Sequence, residues 1–229
     1  MSTALVTGAS EGLGRALCAR LARDGWNVVI DARDEDRLLT AVAGFGGGSR
    51  IVAIPGDVSD PAHRRQLVAA ASLLGGLDLL VNNASTLGAS PMPRLREYPL
   101  DVLRAVLEVN LIAPLALWQE VMPLMAGRQG TVINITSDAA VEGYEGWGGY
   151  GASKAALEQV SRVIAAEHPD QRVYWVDPGD MNTRMHQDAF PGEDISDRPA
   201  PEESVPGLLA LVSNRPPSGR YRAREVVSP

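Results

Sequence analysis

The chain has 229 residues, 45% of them hydrophobic, a formal net charge of −7 and a single cysteine. The acidic balance argues against nonspecific binding to nucleic acid or an anionic membrane, both of which need a basic surface, and no apolar run approaches the about 20 residues of a membrane helix. One cysteine excludes an internal disulfide and fits a reducing compartment, so the numbers predict a soluble, cytoplasmic, globular protein.

In chain order, apolar runs of strand length alternate with segments of helical period. A strand at Ala4–Thr7 precedes a helix at Leu13–Asp24; no leader is expected, because the strand begins almost at the first residue. Cys18 lies among Leu17, Ala19 and Leu21 in that helix and reads as packing. A strand at Asn27–Asp31 and a helix at Glu35–Ala43 follow, then a glycine-rich turn at Gly44–Gly48. Next come a strand at Ile51–Ile54, a helix at Pro61–Leu74, a strand at Leu77–Val81 and a long helix at Leu100–Met125. The remainder reads as a strand at Thr131–Thr136, a helix at Ala152–Glu167, a strand at Arg172–Val176, a helix at Glu202–Ser213 and a short strand at Gly219–Arg222. Continuous apolar strands separated by helices predict a doubly wound, parallel α/β sheet of about seven strands, covered on both faces and forming one domain over 1–229. Asp180–Pro201, rich in Pro, Asp and Glu, is expected to be an irregular loop, either a substrate lid or a solvated connection.

Thr7-Gly8-Ala9-Ser10-Glu11-Gly12-Leu13-Gly14 joins the first strand to the first helix. Its Gly-x-x-x-Gly-x-Gly spacing allows a tight turn and lets a pyrophosphate approach backbone N–H groups at a helix N-terminus. Asn82-Asn83-Ala84 and Asp57 stand at the carboxyl ends of predicted strands, where such a sheet places its ligand crevice. Tyr150 and Lys154 are four residues apart in a helical segment and share a face, so the ammonium is expected to lower the tyrosine pKa. Tyr144 has Gly148 at the corresponding position and lacks the lysine. Ser137, at the end of the fifth strand, can polarise a carbonyl oxygen or simply bond to local backbone. Pro114, four residues after Asn110, removes the N–H that the Asn110 carbonyl needs, so a kink and a free carbonyl able to hold a water near Lys154 are expected.

Together these residues resemble the short-chain dehydrogenase/reductase family over nearly the whole chain. The family's Thr-Gly-x-x-x-Gly-x-Gly is met by Thr7 to Gly14, and its Asn-Asn-Ala-Gly by Asn82 to Ala84, with Ser85 replacing the glycine. Its Asn-Ser-Tyr-Lys tetrad looks like Asn110, Ser137, Tyr150 and Lys154, and its Pro-Gly segment like Pro178-Gly179. The usual Asp-Gly-Gly after the last strand is missing. The resemblance implies a Rossmann fold and a nicotinamide-dependent oxidoreductase of ketones and secondary alcohols, a carbonyl reductase above all. Ser137 would orient the carbonyl, Tyr150 would donate the proton, Lys154 would bind the ribose and Asn110 would hold a relay water. Cofactor contacts are implied at Gly8, Ser10, Glu11, Gly12, Leu13, Gly14, Arg33, Asp57, Val58, Asn83, Ala84, Tyr150, Lys154, Pro178, Gly179, Met181 and Thr183. No metal is implied. Family members are commonly dimers or tetramers through two long helices, here Leu100–Met125 and Ala152–Glu167.

Where the family's NAD users carry an acidic residue, this chain has Ala32, followed by Arg33, which suits a 2′-phosphate. NADP is therefore favoured and NAD stays open, because Asp31 is adjacent and Glu11 occupies a position often basic in NADP users. Asp138, Glu142, Glu145, Asp180, Asp188, Glu193 and Asp194 would favour a cationic or polyhydroxylated substrate if they faced the site, or would solvate loops. Trp147 and Tyr144 are candidates for an aromatic wall or for local packing. A non-redox epimerase or dehydratase and a nucleotide-sensing protein are the alternatives on the same fold.

Overall fold

A computed structural model describes residues 1–46 and 50–226. Seven parallel strands form one sheet: β1 (Thr3–Val6), β2 (Asn27–Ala32), β3 (Ile51–Pro55), β4 (Leu79–Asn82), β5 (Thr131–Ile135), β6 (Arg172–Asp177) and β7 (Gly219–Arg222). Their order is β3-β2-β1-β4-β5-β6-β7, as a doubly wound sheet requires. β1, β2, β4 and β5 are buried along their whole length, which is why they read as unbroken apolar runs rather than alternating ones.

The strand period of two divides these residues between two cores. Ala4 and Val6, Val28 and Ile30, and Leu79 and Val81 face one side, against Leu13, Leu17 and Leu21 of α1 (Gly12–Arg23). Leu38 of α2 (Glu35–Ala43) and Val205, Leu208 and Leu211 near the C-terminus join the same core. Leu5, Val29, Leu80 and Val132 face the other side, against Leu67 of α3 (Pro61–Leu73). Cys18 is fully buried in the first core, and burial pushes its thiol pKa far up, consistent with packing. The chain winds outward from β1 in opposite directions, so a crevice opens at the carboxyl ends of β1 and β4.

Three expectations are corrected. The helix expected over Leu100–Met125 is α4 (Leu100–Leu107) and α5 (Ala113–Met125), joined by a π-helical turn at Glu108–Ile112. Pro114 lacks the N–H that an α-helical ladder needs, and the wider turn absorbs the mismatch where a sharp kink was expected. The Ala152–Glu167 helix begins earlier, as α6 (Gly148–Glu167), so Tyr150 sits in its first turn. Asp180–Pro201 is not wholly irregular: it contains α7 (Arg184–Ala189), capped by Thr183, whose hydroxyl accepts from His186 N at 3.2 Å. Six residues are too few to show a helical period, although the capping threonine was a usable signal. The last helix is α8 (Val205–Asn214), preceded by a 3₁₀ turn at Pro201–Ser204. The glycine-rich turn at Gly44–Gly48 runs into residues 47–49, which lie outside the described residues. Among the described residues no helix is long and apolar enough to cross a membrane, and no cluster of side chains suits a metal ion.

Candidate active site

The turn after β1 is built by glycines with specific conformational duties. Gly8 has φ +69°, and a Cβ there would lie 2.8 Å from Ala84 Cα. A Cβ on Gly14 would lie 2.3 Å from the Gly8 carbonyl oxygen, so Gly14 allows α1 to seat against the turn. Asn83 fastens the same turn, its Nδ2 donating to the carbonyls of Thr7 at 2.8 Å and Gly8 at 3.0 Å. Thr7 Oγ1 accepts from the N–H groups of Asn83 and Ala84. The N-cap residue of α1, Glu11, makes no side-chain cap, and Gly12 and Leu13 of the first helical turn line the crevice. This glycine cradle on an uncapped helix start fits the pyrophosphate of a dinucleotide.

The crevice is a cavity of about 550 Å³. Gly8, Ser10, Glu11, Gly12 and Leu13 line one end with Arg33, Asp57, Val58, Asn83 and Ala84. Ser137, Tyr150, Lys154, Pro178, Gly179, Met181 and Thr183 also line the cavity, with Thr183 next to Gly12 of the turn. Two residues of the expected set stand back from the wall. Gly14 packs behind the turn, and Asn110 is fully buried in the π-helical turn.

At the adenosine end, Asp31 is turned inward. Its Oδ1 accepts from Gly8 N at 2.8 Å, and its Oδ2 lies 3.0 Å from His63 Nε2. Both oxygens are thus engaged in a buried pair, and Arg33 is left exposed at the rim. His63 carries no motif and was invisible to sequence reasoning. Glu11 forms an ion pair with Arg37 at 3.3 Å, which offsets its charge. Burial pushes the Asp57 carboxyl up, but the N–H and hydroxyl of Ser59, with Arg33 and His63 nearby, hold it below the usual carboxylate value.

At the other end, Tyr150 is buried with Trp147 edge-on at 5.7 Å between ring centroids. Burial pushes the phenol pKa up, and the Asp177 and Asp138 carboxylates add to that. The Ser137 and Ser85 hydroxyls pull it down without reversing the rise. Lys154 Nζ donates to the Ile135 carbonyl at 2.8 Å and lies 5.5 Å from the Tyr150 ring centroid. Burial lowers the Lys154 pKa to about 7. The lowering of the phenol by Lys154 expected from their spacing does not emerge in the protein alone. The ammonium is bonded elsewhere and partly deprotonated at neutral pH, and desolvation of the phenol prevails.

Asn110 is held by four hydrogen bonds. Its Oδ1 accepts from Ser85 Oγ at 3.1 Å and Thr86 N at 2.9 Å, and its Nδ2 donates to Thr86 O and Ser153 Oγ. Ser85, the departure from the Asn-Asn-Ala-Gly pattern, is thereby accommodated with its hydroxyl beside the phenol. Leu87, Trp147, Met185 and Ala189 make an apolar wall next to Tyr150. Tyr144 is exposed and donates to Asp138 Oδ2 at 3.0 Å, outside the cavity lining. Of the seven acidic residues considered for substrate attraction, Asp138 and Asp180 line the cavity. Glu145 instead pairs with Arg94 on the surface.

The short chain dehydrogenase family pattern matches residues 2–194. Human dehydrogenase/reductase SDR family member 2, mitochondrial, is 37% identical over 191 residues, 79% of this chain and 65% of that protein. Serine 3-dehydrogenase of Rhizobium radiobacter is 32% identical over 187 residues, 80% of this chain and 73% of that protein. A short chain dehydrogenase from Shigella flexneri, solved in complex with NADP, matches with a TM-score of 0.90 at 29% identity, covering 97% of each chain. With its glycine cradle and its serine, tyrosine and lysine gathered in one cavity, this chain belongs to the short chain dehydrogenase family and is an NAD(P)-dependent oxidoreductase of carbonyl and alcohol groups.

Proposed function

We propose that the protein reduces a ketone with an apolar body to a secondary alcohol, prefers NADP(H), and uses Tyr150 as the proton donor. The observation that carries this reading is the presence of Ser137, Tyr150 and Lys154 in the same cavity as the glycine cradle, with an apolar wall beside Tyr150. A bound nicotinamide dinucleotide supplies the hydride. Ser137 orients the carbonyl oxygen toward the phenol. The raised pKa of Tyr150 keeps it protonated at neutral pH, as a proton donor requires. Lys154, with a pKa of about 7, takes the ribose hydroxyls and exchanges a proton near working pH. Asn110 pins the Ser85–Thr86 segment through its side chain, and its carbonyl, opposite Pro114, holds the relay water.

The NADP preference is supported by Arg33 standing exposed at the rim while Asp31 is spent internally on Gly8 and His63. Residues 1–229 form one catalytic unit in this reading, with the segment around α7 covering the substrate. The exposed apolar side chains of Leu100, Ile112 and Val163 on the long helical elements support assembly into a homo-oligomer. A cytoplasmic setting fits the single buried cysteine.

A panel of carbonyls and alcohols assayed with each of the four nicotinamide forms identifies cofactor, direction and substrate class together. On the best substrate, Tyr150→Phe loses about 100- to 10,000-fold in kcat and binds NADPH as before. Wild-type turnover by this variant contradicts the proton-donor role.

A further inference from the structure

The last strand supplies a cation that no motif of the family accounts for. Arg220 Nε donates to Glu158 Oε1 at 2.9 Å, and one Nη donates to the Ser137 carbonyl at 3.1 Å and lies 3.5 Å from Asp177 Oδ2. Each of these acceptors belongs to a different element: Glu158 to α6, Ser137 to the segment after β5 and Asp177 to β6. Glu158 is 1% exposed on α6, one turn beyond Lys154, and its Oε1 also accepts from Thr136 Oγ1 at 2.9 Å. Asp177 ends β6 and accepts from Gly179 N at 2.9 Å, which fixes the Pro178–Gly179 turn. Ser137 is itself the residue facing the phenol.

We infer that Arg220 is a positioning residue for the reaction, tying the end of β5, the Tyr150–Lys154 helix and the Pro178–Gly179 turn into one register. The inference rests on the assignment of Ser137 and Tyr150 as reacting groups. The fork geometry is essential: one guanidinium bonds a carboxylate and a carbonyl in different directions while neutralising a second carboxylate, which a lysine ammonium on a flexible stem cannot reproduce. Arg162 also reaches Glu158, at 3.1 Å, but from a half-exposed position, where it stacks over Trp175. The charge has a second consequence. The charged and polar groups bearing on the phenol are Asp177, Asp138, Ser137 and Ser85, with Lys154 5.5 Å from the ring. Arg220 lies against Asp177, and Arg222 also bears on that carboxylate. Removing Arg220 weakens the compensation of Asp177 and raises the phenol further.

The test uses full-length wild type, Arg220→Met, Arg220→Lys and Tyr150→Phe. Steady-state carbonyl reduction is followed from about pH 6 to about pH 10, with NADPH affinity measured by fluorescence titration and folded fraction by near-UV circular dichroism. Arg220→Met is expected to lose about 100-fold in kcat per folded molecule, with KM and NADPH affinity within about threefold. Arg220→Lys keeps a positive charge at this position but does not restore kcat. Wild-type kcat per folded molecule in Arg220→Met, or wild-type kcat in Arg220→Lys whether or not the methionine variant folds, overturns the inference. Wild-type turnover by Tyr150→Phe overturns the site assignment instead, so the two failures are distinguishable.

Discussion

Burying the Lys154 ammonium makes the stability of the cofactor-free protein depend on pH in a direction that can be worked out. The lysine pKa is 10.5 in the unfolded chain and about 7 in the folded protein. Below about pH 7 both states carry the proton, and the fold bears the full cost of the buried charge. As pH rises from 7 toward 10.5 the folded lysine is already neutral while the unfolded one is not, so folding releases a proton and stability increases. One proton corresponds to about 1.4 kcal/mol per pH unit, so the gain between about pH 7 and about pH 9 is of the order of 2 kcal/mol once partial protonation at pH 7 is included. Other groups titrate over the same range, and the Lys154→Met variant removes their contribution by difference. The assay is urea unfolding of both proteins at about half-unit pH intervals, read as the stability of Lys154→Met minus that of wild type. That difference is expected to fall steadily above pH 7. A difference that stays flat from pH 7 to 9 refutes the buried, neutralised lysine and the pKa on which its proton-exchange role depends.

Three other perturbations test separate parts of the structure. Arg33→Ala removes the cation at the adenosine rim and is expected to weaken NADPH binding by about 10- to 100-fold, the worth of one charge-assisted hydrogen bond, with NADH binding unchanged; an equal loss for both cofactors contradicts the phosphate assignment. Gly14→Ala places a methyl 2.3 Å from the Gly8 carbonyl oxygen, a backbone atom that must shift to admit it. It is expected to cost about 1–3 kcal/mol in stability and to weaken both cofactors alike in the same fluorescence titration. Leu17→Ala, at 1% exposure in the core under β1, should cost about 2–5 kcal/mol in chemical unfolding, without changing KM.

The layered architecture and many of the residues that line the crevice were legible in local sequence patterns. Apolar runs predicted the inner parallel strands, because a strand buried on both faces leaves little room for polar alternation. The last strand, Gly219–Arg222, is by contrast a partly exposed edge of mixed composition. The glycine spacing, the Asn82-Asn83-Ala84 segment and the Tyr150–Lys154 pair were legible because their chemistry depends on short, local intervals that a helix or a tight turn fixes. Features that depend on groups far apart in the chain emerged with the assembled fold. The inward turn of Asp31 meets His63, 32 residues away, and leaves Arg33 exposed at the rim. The phenol of Tyr150 is governed chiefly by burial, so its pKa moves opposite to the direction that its helical neighbour Lys154 suggested. Arg220 meets Glu158 across 62 positions and Ser137 across 83, from a strand whose sequence had signalled only the loss of a familiar ending. Periodicity records which face of an element is buried; which charges meet there is set by strand order and register, and these are properties of the assembled sheet.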